Sequence, residues 1–216
     1  MGGRPRTKGN RGAAAASAAT KDSNTPFVAT VTRGVFFHMK KGRFTTRQLA
    51  LNAMLMAMCT VLASVALKLG GNFKLTFESV PIHIGALLFG PVDGMLIGGL
   101  GTFIYQALFS GYGINATTLL WILPYVVCGL SVGAYARRRH FALNRRQTTF
   151  IMLVSELAIT LLNTFALYVD SHIFGYYSAA FVFGTLAVRL ALCVAKGIVY
   201  GSIMQSLIRP LRRAVA

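Results

Sequence analysis

Five stretches of this chain are too long and too apolar to stay in water, and they limit the fold more than any other feature. They cover residues 48–69, about 75–110, 116–136, 148–170 and about 178–208. A hydrocarbon core of roughly 30 Å is crossed by about 20 helical residues, and lipid accepts only backbone that satisfies its own hydrogen bonds. Four of the stretches therefore read as single transmembrane helices. The second is too long for one, and "FGPVDG" (89–94) interrupts it. Composition agrees: 55% of the residues are hydrophobic and 12% charged, against about a quarter charged in soluble domains.

Charge decides how often the interrupted stretch crosses. The chain carries 22 Lys and Arg against 5 acids, a formal charge of +17. With two crossings there are six spans and both termini share one side. That side then holds 18 of the Lys and Arg outside the spans, from the N-terminal segment through Arg47, from "RRRHFALNRR" (137–146) and from Arg209, Arg212 and Arg213; only Lys68 and Lys74 lie opposite. With one crossing the same residues divide ten against ten. Basic residues concentrate on the cytoplasmic side, so the expectation is six spans with both termini cytoplasmic.

Gly90 and Pro91 suit the end of one helix and the first turn of the next, and Asp93 suits that turn's positive dipole. The pass before them is short, about 79–90, so "NFKLTFES" (72–79) enters as extended chain. Phe73, Leu75 and Phe77 alternate there with Lys74, Thr76 and Glu78, the pattern of a strand-like outer loop. Extended backbone at this depth needs protein or a water-filled cavity beside it, so the loop is expected to line a cavity.

Residues 1–46 are basic, rich in Ala, Ser and Gly, and hold one acid, Asp22. Such a segment builds no core and reads as a disordered basic cytoplasmic tail, leaving 47–213 as the membrane domain. A transit peptide shares that composition, but a cytoplasmic tail accounts for it and is the reading adopted. Cys59, Cys128 and Cys193 are scattered through apolar runs, without metal-ligand spacing, and read as small core residues.

Small residues recur at four-residue spacing: Ala53 and Ala57; Gly90, Gly94 and Gly98; Gly129 and Gly133; Gly197 and Gly201. Such ridges let helix backbones approach closely in lipid. For the glycines internal packing is the favoured reading; Ala53 and Ala57 are equally suited to meeting a partner. Polar groups inside spans are costly and mark sites. Glu156 and Asn163 share one helix face and Arg189 and Lys196 another, each pair seven residues apart. Counted along their helices, Glu156 and Arg189 fall at similar depth, so an ion pair between them is expected, either as packing or as the charged wall of a cavity. Gln106, His83 and Trp121 are weaker candidates. No phosphate loop, H-E-x-x-H or G-x-S-x-G occurs. Nothing in the chain calls for an enzyme, a metal or a cofactor, so any transport energy must come from another subunit or a gradient.

The stretch "LTFESVPIHIGALLFGPVDGMLIGGLG", preceded by a span with Ala53-x-x-x-Ala57, resembles the substrate-binding S component of an energy-coupling factor (ECF) vitamin transporter. "LWILPYVVCGLSVG", "LLNTFALY" and "RLALCVAK" resemble its folate branch. "GTFIYQALF" departs from that branch in lacking an acid. The resemblance covers residues 45–213 and implies a six-helix membrane protein that binds a vitamin, folate or a related pterin, from outside under the loop after the first span. It implies a transmembrane coupling subunit, met by Ala53 and Ala57, and two cytoplasmic ATPases. Lys74, Phe77, Trp121, Asn163 and Arg189 are then the expected substrate-binding residues, with Glu156 as a charge partner. S components for another vitamin or precursor, a self-sufficient gradient-driven carrier, and a membrane scaffold remain the alternatives.

Overall fold

In a computed structural model, the protein is described over residues 45–65, 67–68, 74–111 and 113–215, besides Gly2. The tail expected over residues 1–46 lies outside the described residues, apart from Gly2 and its last two positions. Thr45 caps the first helix, its hydroxyl oxygen accepting from the Gln48 amide at 3.2 Å. That helix, α1, spans Thr46–Ser64. It is followed by β1 (Leu67–Lys68) and β2 (Lys74–Leu75), a two-residue antiparallel pair that sets Leu67 opposite Leu75 and Lys68 opposite Lys74. The remaining elements are helical: α2 (Ser79–Leu88), α3 (Pro91–Leu108), α4 (Thr118–Arg138), α5 (Arg145–Ile173), the short α6 (Ala179–Phe183) and α7 (Leu186–Val215).

Among the described residues, four segments are long and apolar enough to cross a membrane: Thr46–Ser64, Thr118–Arg138, Arg145–Ile173 and Ala179–Leu211. The interrupted stretch makes two helices. Gly90 turns the chain at φ 109°, a backbone conformation that glycine adopts without strain, and Pro91 opens α3. α2 and α3 then fold back on each other, with Ala86 against Gly94 and Ile82 against Gly98. Successive contacts make α1, α2, α3, α4, α5 and α7 alternate in direction: Leu55 meets Gly85, Gly94 meets Gly129, Thr117 meets Asp170, and Gly197 meets Leu153.

The glycine ridges hold the interior together. A Cβ added to Gly94 would lie 2.8 Å from the Gly129 carbonyl oxygen, and one on Gly129 would run into the Gly94 backbone. Gly133 faces the Gly90–Pro91 backbone in the same seam, and Gly201 closes the equivalent approach of α7 to Thr149 on α5. Beside the seam, Ile82, Leu87, Ile97, Val132 and Met152 are almost fully buried.

Asp93 does more than complement a helix dipole. It is buried, and Gln48 Nε2 (3.0 Å) and Asn52 Nδ2 both donate to its Oδ1. About two turns further along, the Thr60 hydroxyl donates to the Gly101 carbonyl at 3.0 Å. These bonds fasten α1 to α3 through the face that carries Asn52, Cys59, Thr60 and Ala63. Ala53 and Ala57 are left exposed on the other face.

A branched side chain in the seam is predicted to be costly because its neighbours are backbone. Gly129→Val should destabilise the protein by about 1–3 kcal/mol, the usual cost of overpacking. Gly99→Ala, which meets only a Val126 methyl at 3.1 Å, should cost much less. Thermal unfolding of the detergent-purified proteins measures both.

Candidate functional site

Helical periodicity places one polar line on α4. Thr117, Trp121, Tyr125 and Cys128 follow at spacings of four, four and three, so they descend a single face. On α5, Asp170, Asn163 and Glu156 are seven residues apart and do the same. On α7 the line is Arg189, Lys196 and Tyr200. The start of α2 adds Glu78, Ser79 and His83. The lines face one interior, and contacts between them form layers.

The first layer surrounds Asp170. Its carboxylate accepts from the hydroxyls of Thr117 and Tyr176, and from Trp121 Nε1 at 3.4 Å. Tyr176 belongs to the segment after α5, so this one acid ties that segment to α4. At the same end of α5, on its exposed side, the rings of Tyr168, His172 and Tyr177 cluster, tilted, with centroids 4.1–4.4 Å from His172 to either tyrosine.

Deeper, Glu78 is buried and accepts from the Thr76 hydroxyl at 3.0 Å and from the Tyr125 hydroxyl. Glu156 is 1% exposed and its Oε2 lies 2.7 Å from Lys196 Nζ. His83 Nε2 lies 2.9 Å from Ser155 Oγ, and Ser155 donates its own proton to the Met152 carbonyl. The ring nitrogen facing Ser155 must therefore be the donor, which leaves His83 Nδ1 as an acceptor. Tyr200 packs edge-on to His83, at 5.9 Å.

Several buried polar atoms have no partner among the described residues, among them His83 Nδ1, Glu156 Oε1 and Thr185 Oγ1. They come from α2, α5 and the turn before α7. A buried polar atom without a partner costs about 1–3 kcal/mol. Such a cluster is what a pocket for a polar ligand requires. The charges are uneven as well. Among the described residues Glu156 pairs with Lys196 while the Glu78 carboxyl accepts from the Thr76 and Tyr125 hydroxyls, so this depth of the interior favours ligand groups that donate protons.

The expected Glu156–Arg189 ion pair is not formed; the partner of Glu156 is Lys196. The counting assumed one continuous helix from about residue 178. The chain instead spends Ala179–Phe183 on the separate α6 and opens α7 at Leu186. The contacts of Gly197 with Leu153 and Gly201 with Thr149 then set Lys196 level with Glu156. The same register puts Arg189 level with Asn163. Arg189 is partly buried, and its guanidinium makes no hydrogen bond or ion pair among the described residues. Trp121 has its N–H committed to Asp170 and keeps its ring face. Phe77 is 38% exposed, directly before Glu78. Lys74 lies on β2, and only its backbone belongs to the description.

Sequence reasoning passed over Asp170, Glu78 and Tyr125 as site residues. The signal for Asp170 was present: it continues the seven-residue series of Glu156 and Asn163. Tyr125 likewise follows Trp121 by one turn.

Residues 47–210 match the family described as ECF transporter, substrate-specific component. No curated protein matches by sequence. Among solved structures, the S-component for biotin from an ECF-type ABC transporter is similar at a TM-score of 0.55 and 15% identity, covering 78% of this chain and 94% of that one. FolT bound with folic acid is similar at a TM-score of 0.49 and 16% identity, covering 70% and 92%.

The ion pair yields a test. Glu156→Gln should leave Lys196 uncompensated and cost about 3–5 kcal/mol, as removal of one buried partner does. Adding Lys196→Met should recover much of the loss, because the ammonium left without Glu156 is then removed. A double-mutant cycle on unfolding temperatures reads the coupling. Additive losses would mean that the two side chains do not depend on each other.

Proposed function

The chain belongs to the ECF transporter substrate-specific component family, and from that premise we propose that it is the membrane-embedded, substrate-binding subunit of an ATP-driven vitamin uptake transporter, not an enzyme. The observation that carries this reading is the convergence of buried polar and charged side chains from α2, α4, α5 and α7 on one interior, where His83 Nδ1 and Glu156 Oε1 have no partner among the described residues. The substrate we propose is folate or a related pterin. A pterin presents adjacent N–H donors along one edge, which suit the excess of carboxylate at Glu78 and Glu156 and the acceptor oxygen of Asn163. Its flat ring suits the faces of Trp121 and Phe77. The carboxylates at the other end suit Arg189 and Lys74, by charge-assisted hydrogen bonds.

The proposed topology is six spans with both termini cytoplasmic, supported by the distribution of 18 basic residues against two. α2 and α3 supply the second and third spans, and the β1–β2 segment forms an outer loop over the interior. Ala53 and Ala57 are exposed and small, on either side of the middle of α1. They form the surface proposed to meet a transmembrane coupling subunit, itself driven by two cytoplasmic ATPases.

Mass spectrometry of the purified protein should find a pterin-containing ligand. A non-pterin vitamin in its place would keep the transport reading and overturn the substrate. A charge-assisted bond is worth about 1.5–3 kcal/mol, so Arg189→Ala should weaken folate binding by about 10- to 100-fold in a protein that stays folded. Undiminished binding would remove Arg189 from the site.

Leucine at Ala53 and Ala57 should abolish uptake and co-purification with ATPase subunits while folate binding by the isolated protein persists. Equal loss of binding would make these alanines internal packing. Uptake without any ATPase would favour a gradient-driven carrier. Cysteines placed at Val92 and Ala142 should both label from the cytoplasmic side; external labelling at either would overturn the six-span arrangement.

A further inference from the structure

At the end of the bundle opposite Asp170, the start of α5 and the later turns of α7 border a second polar space that is open to the surface. It is a cavity of about 400 Å³ lined by Asn144, Arg145, Ser202, Gln205, Ser206 and Arg209. No carboxylate lines it. The described acids, Glu78, Asp93, Glu156 and Asp170, are all buried elsewhere with partners of their own. Arg145 and Arg209 approach from different helices and are exposed. The wall between them is built, because Gln205 Nε2 donates to the Leu143 carbonyl at 3.2 Å and so ties α7 to the α4–α5 connection.

An apolar cleft adjoins it. Gln205 and Arg209 line this cleft too, together with Phe141, Leu143, Met204 and Ile208. On the outer surface the change from apolar to basic is equally abrupt. Phe150 on α5 and Ile203 on α7 are 60% and 57% exposed, within a turn or so of Arg145 and Ser206. Apolar side chains turned outward belong against acyl chains, and arginines one turn beyond them sit at headgroup depth. Basic pockets between transmembrane helices at that depth recognise anionic lipid headgroups, and guanidinium groups match phosphate oxygens two at a time.

We propose that this cavity is a binding site for the phosphate headgroup of an anionic phospholipid, held between Arg145 and Arg209, with an acyl chain against the apolar surface beside it. The site is separate from the polar interior near Glu156 and asks nothing of the vitamin.

The test uses the full chain purified in detergent and supplied with dioleoylphosphatidylglycerol or dioleoylphosphatidylcholine, with bound lipid counted by native mass spectrometry. Phosphatidylglycerol should be retained in preference. Arg145→Gln with Arg209→Gln should weaken its retention at least tenfold, and either change alone should weaken it less. Arg137→Gln with Arg138→Gln removes the same charge from the end of α4, outside the cavity, and should leave retention nearly unchanged. Equal loss from both pairs would overturn the site in favour of diffuse attraction between a basic protein and acidic lipid. Equal retention of the two lipids would overturn it as well. Displacement of phosphatidylglycerol by millimolar inorganic phosphate would mean that the cavity takes free phosphate instead. If the double variant fails to fold, the two single variants carry the comparison with Arg137→Gln.

Discussion

The arrangement depends on how closely α3 and α4 approach. Gly94 and Gly129 bring the two backbones within a distance that admits no side chain, and Gly133 continues the contact to the Gly90–Pro91 turn. Lipid offers helices no hydrophobic drive to associate, so close backbone packing has to supply it. The seam also fixes the rotation of α4. With Gly129 and Gly133 turned to α3, the line of Thr117, Trp121, Tyr125 and Cys128 is turned to the interior, where it meets Asp170, Glu78 and His83.

Acids are the scarce resource of this chain, and their positions are informative. The sequence has five, and every one outside the N-terminal segment is buried. A carboxylate placed in a membrane interior is retained only where something holds it. Asp93 holds α1 through Gln48 and Asn52. Asp170 holds the segment after α5 through Tyr176. Glu156 holds α7 through Lys196. Glu78 holds the start of α2 against α4. Each acid joins two elements, so the bundle is tied by polar contacts at four points around an otherwise apolar frame. Glu156 also keeps one oxygen without a partner, which separates it from a purely structural link.

The two ends of the molecule differ in the chemistry they present. Around Asp170 the surface is aromatic, with Tyr168, His172 and Tyr177 stacked and Phe174 exposed, the composition found where a bilayer meets water. Around Arg145 and Arg209 it is basic. The polar layers around Glu156 and the cavity beside Arg145 and Arg209 lie at different heights, and α5 and α7 contribute to both.

Much of the frame was legible in the residues themselves. Runs of apolar residues near the thickness of a bilayer leave only helices, and the pair Gly90–Pro91 has no comfortable place inside one, so the division of the second stretch followed from backbone sterics. Four-residue spacing of glycines announced close helix contacts for the same reason. The choice of partners was not legible. Whether Glu156 meets Arg189 or Lys196 depends on the register between α5 and α7, and that is set by Gly197 and Gly201 seating on Leu153 and Thr149 after a break in the helix at α6. Asp170 acquired Trp121 and Tyr176 only because α4 and the segment beyond α5 converge there. Periodicity places a side chain on a face of its own helix. Which neighbour that face meets, and at what height, is decided by packing between helices, a quantity that no single stretch of sequence contains.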